Sequence, residues 1–139
     1  MRLKQEQIFE LEQLLRMVYR KLKQDIHTIF KKEISHGEYT VLKLLSKDTS
    51  LKATDLSKNL KVSASHITMV TDSLVKKGFL TRTRSDVDRR VVDMVVTDEG
   101  KELLKHFNEK RSDYFYEKLN QFSDEEIEEF MRLLNKLKD

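Results

Sequence analysis

Arg82, Arg84, Arg89 and Arg90, with Asp86 and Asp88 among them, are the densest group of chemically capable side chains in this 139-residue sequence. A guanidinium offers a fixed fork of N–H donors and keeps its charge at neutral pH, so such a cluster suits the holding of phosphates better than proton transfer. A second group precedes it: Ser63, Ser65, His66, Thr68 and Met69, then Lys76 and Lys77. Residues 52–90 hold nine Lys or Arg against four Asp, a net +5, whereas the whole chain is +3 and the remainder therefore −2. A modest overall charge conceals a concentrated basic segment, as a phosphate-binding face requires. Catalysis finds no matching pattern. There is no glycine-rich phosphate loop, no nucleophile motif and no Cys, and the carboxylates are spread along helical surfaces.

The elements that must carry these residues follow from spacing. Leu56 and Leu60 stand four apart within 53–60, which predicts a short supporting helix. Val62 and Ser63 interrupt that pattern, and Ser63 is placed to cap a second helix with its hydroxyl. Ile67, Val70 and Leu74 give this second helix one buried stripe and leave Ser65, His66, Thr68, Met69 and Asp72 off it. Gly78 is placed to stop it. Residues 79–84 and 90–97 are β-branched or alternate in polarity around a charged tip, which predicts a hairpin. Two helices followed by a hairpin make a winged helix-turn-helix, whose second helix fits a DNA major groove while the wing lies along the backbone or minor groove. Ser and Thr can bond bases or phosphates, and a Met can pack on a thymine methyl. A winged helix used only for protein contacts is the alternative.

Five stretches in register carry a resemblance. They are Ala53-Thr54-Asp55-Leu56-Ser57, Val62-Ser63, 72–80 (Asp-Ser-Leu-Val-Lys-Lys-Gly-Phe-Leu), Asp88-Arg89-Arg90, and 96–101 (Val-Thr-Asp-Glu-Gly-Lys). In this order and spacing the chain resembles the multiple antibiotic resistance regulator (MarR) family of bacterial winged-helix transcription factors. The resemblance implies a DNA-binding transcriptional regulator, more often a repressor. It also implies that Asp88 holds the wing while Arg90 approaches the minor groove. Two departures stand out: many relatives carry a basic or polar residue where Met69 sits, and many have Pro in the wing tip, whereas this sequence has no Pro.

Outside the winged segment, Ile8, Leu11, Leu15, Val18, Leu22, Ile26 and Ile29 recur at steps of three and four, predicting one amphipathic helix over about 4–31. Ser35 and Glu38 form a capping-box signature ahead of Tyr39, Leu42 and Leu45, which give the next helix its inner face. Thr97 is placed to cap a helix with Leu103, Leu104, Phe107, Tyr114, Phe115 and Leu119, and Ser123 with Glu126 opens a last helix bearing Ile127, Phe130, Leu134 and Leu137. One winged unit cannot cover three apolar stripes, so a symmetric homodimer is expected. The fold class is mainly α with a small β-hairpin wing: a single domain over 1–139, with a winged lobe at 34–97 and dimerisation helices at 4–31 and 98–138. Met17, Met94 and Met131 are expected as core filler.

No apolar run approaches a membrane span, and Met1-Arg2-Leu3-Lys4 leads into Gln and Glu, so the expected location is the cytoplasm, away from any membrane. The DNA-facing residues expected are Ser63, Ser65, His66, Thr68, Met69, Lys76, Arg82, Arg84, Asp88, Arg89 and Arg90. No cofactor is expected. His27, His36, His66 and His106 lack the spacing of a metal site, although a few relatives sense zinc, so a metal-responsive regulator of the same fold stays as an alternative. Without Cys there is no thiol switch. Elimination and resemblance together leave a small aromatic or amphipathic ligand as effector, with Tyr19, Phe30, His36 and Tyr39 as lining residues near the junction of the first two helices.

Overall fold

The computed structural model describes residues 3–30, 33–88 and 90–138. In chain order the elements are α1 (Lys4–Phe30), α2 (His36–Lys47), α3 (Ala53–Leu60), α4 (Ala64–Lys76), β1 (Leu80–Arg84), β2 (Val92–Val96), α5 (Asp98–Leu119) and α6 (Asp124–Lys138). They fall into two compact units, Met1–Phe107 and Asn108–Asp139, divided within α5. No described helix is long and apolar enough to cross a membrane.

Local chemistry sets the helix starts. Ser35 Oγ accepts from Glu38 N at 3.1 Å while Ser35 N donates to Glu38 Oε1 at 3.2 Å, so the expected capping box opens α2. Ser63 Oγ accepts from His66 N at 3.1 Å to open α4, and Thr97 Oγ1 accepts from Gly100 N at 3.0 Å to open α5. Ser123 and Glu126 exchange the same reciprocal pair ahead of α6, at 3.0 and 3.1 Å. The turn between α3 and α4 departs from expectation. The break comes at Lys61, which adopts φ 54°, ψ 46° without being Gly or Asn, and Ser57 Oγ closes the turn by donating to Val62 O at 2.5 Å. Gly78, at φ +85°, ends α4 as its sequence position implies.

The core of the first unit gathers one face from each element. Phe30 and Ile34 meet Tyr39, Val41, Leu42 and Leu45 of α2, Leu56 of α3, Ile67, Val70 and Leu74 of α4, Leu80, Met94 and Val96 of the hairpin, and Leu103, Leu104 and Phe107 of α5. The hairpin is antiparallel with Leu80 opposite Val96, Arg82 opposite Met94 and Arg84 opposite Val92. Its strands are shorter than the expected 79–84 and 90–97. The amides of Phe79 and Arg90 bond to Leu74 O and to the Asp88 side chain, so neither amide joins the ladder, although Phe79 O still accepts from Thr97 N.

The stripe on α1 is met by this core only at its C-terminal end. Phe30 is buried and Leu22, Ile26 and Ile29 are half-buried, but Ile8, Leu11, Leu15 and Val18 remain 47–55% exposed. In the second unit Phe122 and Phe130 pack edge to face at 5.8 Å, whereas Leu133, Leu134 and Leu137 are exposed. Of the three methionines expected as filler only Met94 is buried. Met17 and Met131 are exposed.

Candidate nucleic-acid interface

The buried stripe of α4, completed by Thr71, turns the opposite side of the helix outward, so Ser65, His66, Thr68, Met69 and Lys76 are all exposed. Ser63 Oγ accepts the His66 amide at the helix cap. Thr68 donates its hydroxyl proton to Ala64 O at 3.1 Å, and Thr71 donates to Ile67 O at 2.9 Å. Asp72, which sequence patterning merely places off the buried stripe, proves to be a partner: its carboxylate takes Arg82 of β1 at 2.6 Å. Strand alternation puts Arg82 on the same face as buried Leu80, the face turned to α4, and this is why a wing arginine reaches a recognition-helix carboxylate. Nothing in the ten-residue separation reveals that pairing, because it depends on how the hairpin folds back.

At the wing tip, the bend is made by side chains. Ser85 Oγ accepts from the amides of Val87 and Asp88 at 3.2 and 3.4 Å, and Asp88 Oδ1 accepts from Arg90 N at 3.0 Å. The Asp88 carboxylate also receives Arg90 Nε at 3.1 Å and one terminal guanidinium nitrogen at 3.3 Å. These bonds, from the Arg90 side chain first and its amide second, hold the Asp88 carboxyl below its usual range. Asp88 thus stays ionised, and the Arg90 side chain, 91% exposed, projects from the tip. Arg84 is exposed on β1, and Arg89 lies outside the described residues.

Two further pairs brace this surface, and sequence patterning names neither. Lys52, at the start of α3, is ion-paired with Asp93 of β2, and Lys77, after α4, is paired with Glu38 of α2. Both join residues about 40 apart in sequence. Among the described residues no group of three or more His, Asp or Glu is arranged to hold a metal ion.

The residues expected around an effector are only partly brought together. Phe30 and Tyr39 are buried with ring centroids 4.6 Å apart, and Phe107 meets Phe30 edge-on at 4.8 Å, so these rings fill the core. His36 is exposed at the start of α2. Tyr19 is exposed on α1, eleven residues or roughly 16 Å along the helix from Phe30. An open groove does exist on the α5–α6 hairpin, lined by Phe115, Leu119, Phe122 and Ile127 together with Arg111 and Asp124, but none of the four expected residues contributes to it.

Comparison with known proteins gives consistent matches. The model of the MarR family matches residues 34–92. Over 137 residues the chain is 39% identical to the uncharacterised HTH-type transcriptional regulator YpoP of Bacillus subtilis, covering 99% of this chain and 97% of that protein. The HTH-type transcriptional repressor YetL of the same organism is 32% identical over 106 residues, which span 75% of this chain and 64% of YetL. Among solved structures, a MarR family protein from Bacillus stearothermophilus is similar with TM-score 0.82 and 29% identity over 98% of this chain and 96% of that one. A point mutant of S. aureus MepR bound to an oligodeoxyribonucleotide shares the fold at TM-score 0.75 and 22% identity, over 91% of this chain and 94% of that one.

Proposed function

The chain belongs to the MarR family of helix-turn-helix transcriptional regulators, and from that premise we propose that it binds an inverted-repeat operator in double-stranded DNA as a homodimer and acts as a repressor. The observation that carries this reading is the joint presentation of an exposed polar face on α4 and a wing tip on which Asp88 orients Arg90 outward. One element suits the major groove and the other the adjacent minor groove or backbone. In this reading Ser63, Ser65, His66, Thr68, Met69, Lys76, Arg82, Arg84, Arg89 and Arg90 face DNA, with Asp88 as the positioning residue. The repressor sign rests on the likeness to YetL.

Residues 34–97 form the reading lobe, and the helices at 4–31 and 98–138 pair two subunits. The exposed Ile8, Leu11, Leu15 and Val18 on α1, and Phe130 and Leu134 on α6, favour this assignment, since together they leave more apolar surface uncovered than a monomer usually exposes. A two-fold dimer presents both recognition helices to one side of the duplex, with half-site centres ~10 bp or a multiple apart. Control is by a small, partly apolar organic ligand that favours the spacing of recognition helices unsuited to DNA. A ligand with equal affinity for both spacings would shift nothing. Because Phe30 and Tyr39 pack on Phe107, a ligand that reached them would have to displace aromatic packing.

Selection of bound sequences from a random duplex pool tests the central claim. The expected result is a dyad-symmetric sequence that outcompetes bulk DNA, with affinity falling steeply as salt rises. If no recovered sequence outcompetes bulk DNA, the regulator reading is lost and protein contact becomes the better account of the lobe. Release of a preformed complex by aromatic acids, compared with zinc and with chelator, tests the effector.

A further inference from the structure

Met69 is 61% exposed on the outward face of α4. Among the described residues between 34 and 97, the only other large apolar side chains found exposed are Val87 and Val95, both on the wing, while the rest lie within residues 3–19 and 116–137. Between Ile67 and Asp72 the polar side chains are already engaged. Thr68 gives its proton to Ala64 O, Thr71 is buried with its hydroxyl on Ile67 O, and Asp72 is paired with Arg82. From Ile67 to Asp72 the described side chains therefore offer an incoming base no uncommitted hydrogen-bond donor. They offer a thioether, a methyl-bearing Thr that can only accept, and a carboxylate already paired with Arg82. Purine N7 and O6 acceptors find no donor there, and an adenine or cytosine amino group could reach only the Thr68 oxygen or the Arg82-paired carboxylate, so neither kind of group engages Met69 itself. The one apolar group that any base pair displays in the major groove is the thymine C5-methyl.

Building on the DNA-binding reading, we propose that Met69 is a specificity-determining residue that recognises thymine through its C5-methyl group. Discrimination at the centre of each half-site then comes from apolar contact, and hydrogen bonding is left to Ser65 and His66 nearer the helix start. The surrounding net charge of +5 over 52–90 brings a polyanion to this face, which accounts for an exposed Met meeting a groove instead of another protein's apolar surface.

The probe is a duplex recovered from the random pool, remade with deoxyuridine replacing thymidine one position at a time. Uracil pairs identically and lacks only the methyl. The expected result is one position per half-site at which the replacement weakens wild-type binding about fourfold, as loss of one buried methyl implies. Met69→Ala should bind the thymine and uracil duplexes equally, whereas Met69→Leu, which keeps an apolar end, should retain the preference. Equal wild-type binding at every position, with the selected duplex still preferred over bulk DNA, would overturn the proposal and leave DNA binding intact. An undiminished thymine preference in Met69→Ala would also overturn it by assigning the methyl to another residue. Failure of the pool to yield any preferred sequence would remove both readings.

Discussion

Lys77, just beyond the last residue of α4, donates to both carboxylate oxygens of Glu38, the third residue of α2, at 3.0 and 2.9 Å. The same carboxylate accepts from Ser35 N and Ser73 Oγ at 3.2 Å each. Burial alone would raise the Glu38 carboxyl. The Lys77 and Ser35 hydrogen bonds, with the Lys77 charge, outweigh it and hold the group below its ordinary value of 4.5. One carboxylate thereby ties the start of α2 to the end of the helix proposed to enter the groove.

Because the folded-state value is depressed, the contribution of Glu38 is complete above pH 4.5 and is lost as pH falls through the folded value. Glu38→Gln is expected to destabilise the protein at neutral pH by about 1–3 kcal/mol, the range for losing hydrogen bonds to a charged group. The gap from wild type should narrow only below pH 4.5. Urea unfolding across pH checks this, and a gap that ignored pH would mean the charge itself contributes nothing.

Gly78 and Gly100 should fail for different reasons. A Cβ at Gly100 would stand 2.4 Å from Phe79 O and 2.8 Å from Val96 Cγ1, so Gly100→Ala must push α5 off the hairpin base. At Gly78 a Cβ meets nothing within 4 Å, but φ is +85°, so Gly78→Ala suffers only backbone strain of about 1–2 kcal/mol. Gly100→Ala is expected to lower the denaturant midpoint further than Gly78→Ala, and the reverse order would show that α5 yields easily.

Arg90→Ala should weaken operator binding about tenfold without changing the unfolding midpoint, since its side chain projects into solvent. Asp88→Ala should act through the same arginine, so the double variant should be little worse than Arg90→Ala alone. Titration of a labelled duplex measures both. Independent, additive losses would mean that Asp88 does not work by orienting Arg90.

The uncovered stripes set the assembly prediction. Leu15→Glu on α1 or Leu134→Glu on α6 places a charge on a half-exposed apolar face and should shift the protein to monomer in sedimentation, with DNA affinity falling in parallel. A folded, stable wild-type monomer at micromolar concentration would refute pairing through these helices.

Where a fold feature depends on neighbours in sequence, the sequence displays it. The caps at Ser35, Ser63, Thr97 and Ser123 each rest on a contact three residues on, and the stripe Ile67, Val70, Leu74 is buried as its spacing requires. The left-handed Lys61 was not visible, because no Gly or Asn marks it and the turn is closed by Ser57 Oγ. The site divides in the same way. Asp88 and Arg90 are two residues apart, and the motif places them together. The pairs Asp72–Arg82, Lys52–Asp93 and Glu38–Lys77 form only once helices and hairpin have docked, so no local pattern announces them. Tyr39 is buried with Leu42 and Leu45 as their spacing requires, whereas burial of Phe30 was hidden, since an aromatic residue near a helix junction suits a ligand wall and a core equally well.

Thr97 also accounts for how motion at one end of α4 would be felt at the other. Its hydroxyl donates to Gly78 O at 2.7 Å and accepts from Gly100 N at 3.0 Å, while its amide donates to Phe79 O at 3.1 Å. The end of α4 and the first turn of α5 therefore meet at a single pivot. The 13 residues of α4 make an arm roughly 20 Å long. A swing of ~10° about that pivot would carry its far tip at Ala64 through an arc of about 3.5 Å, close to one base-pair step along a duplex. For a helix that enters a groove as proposed, a small change in the direction of the first turn of α5 would thus be geared up into about one step of register at its far end.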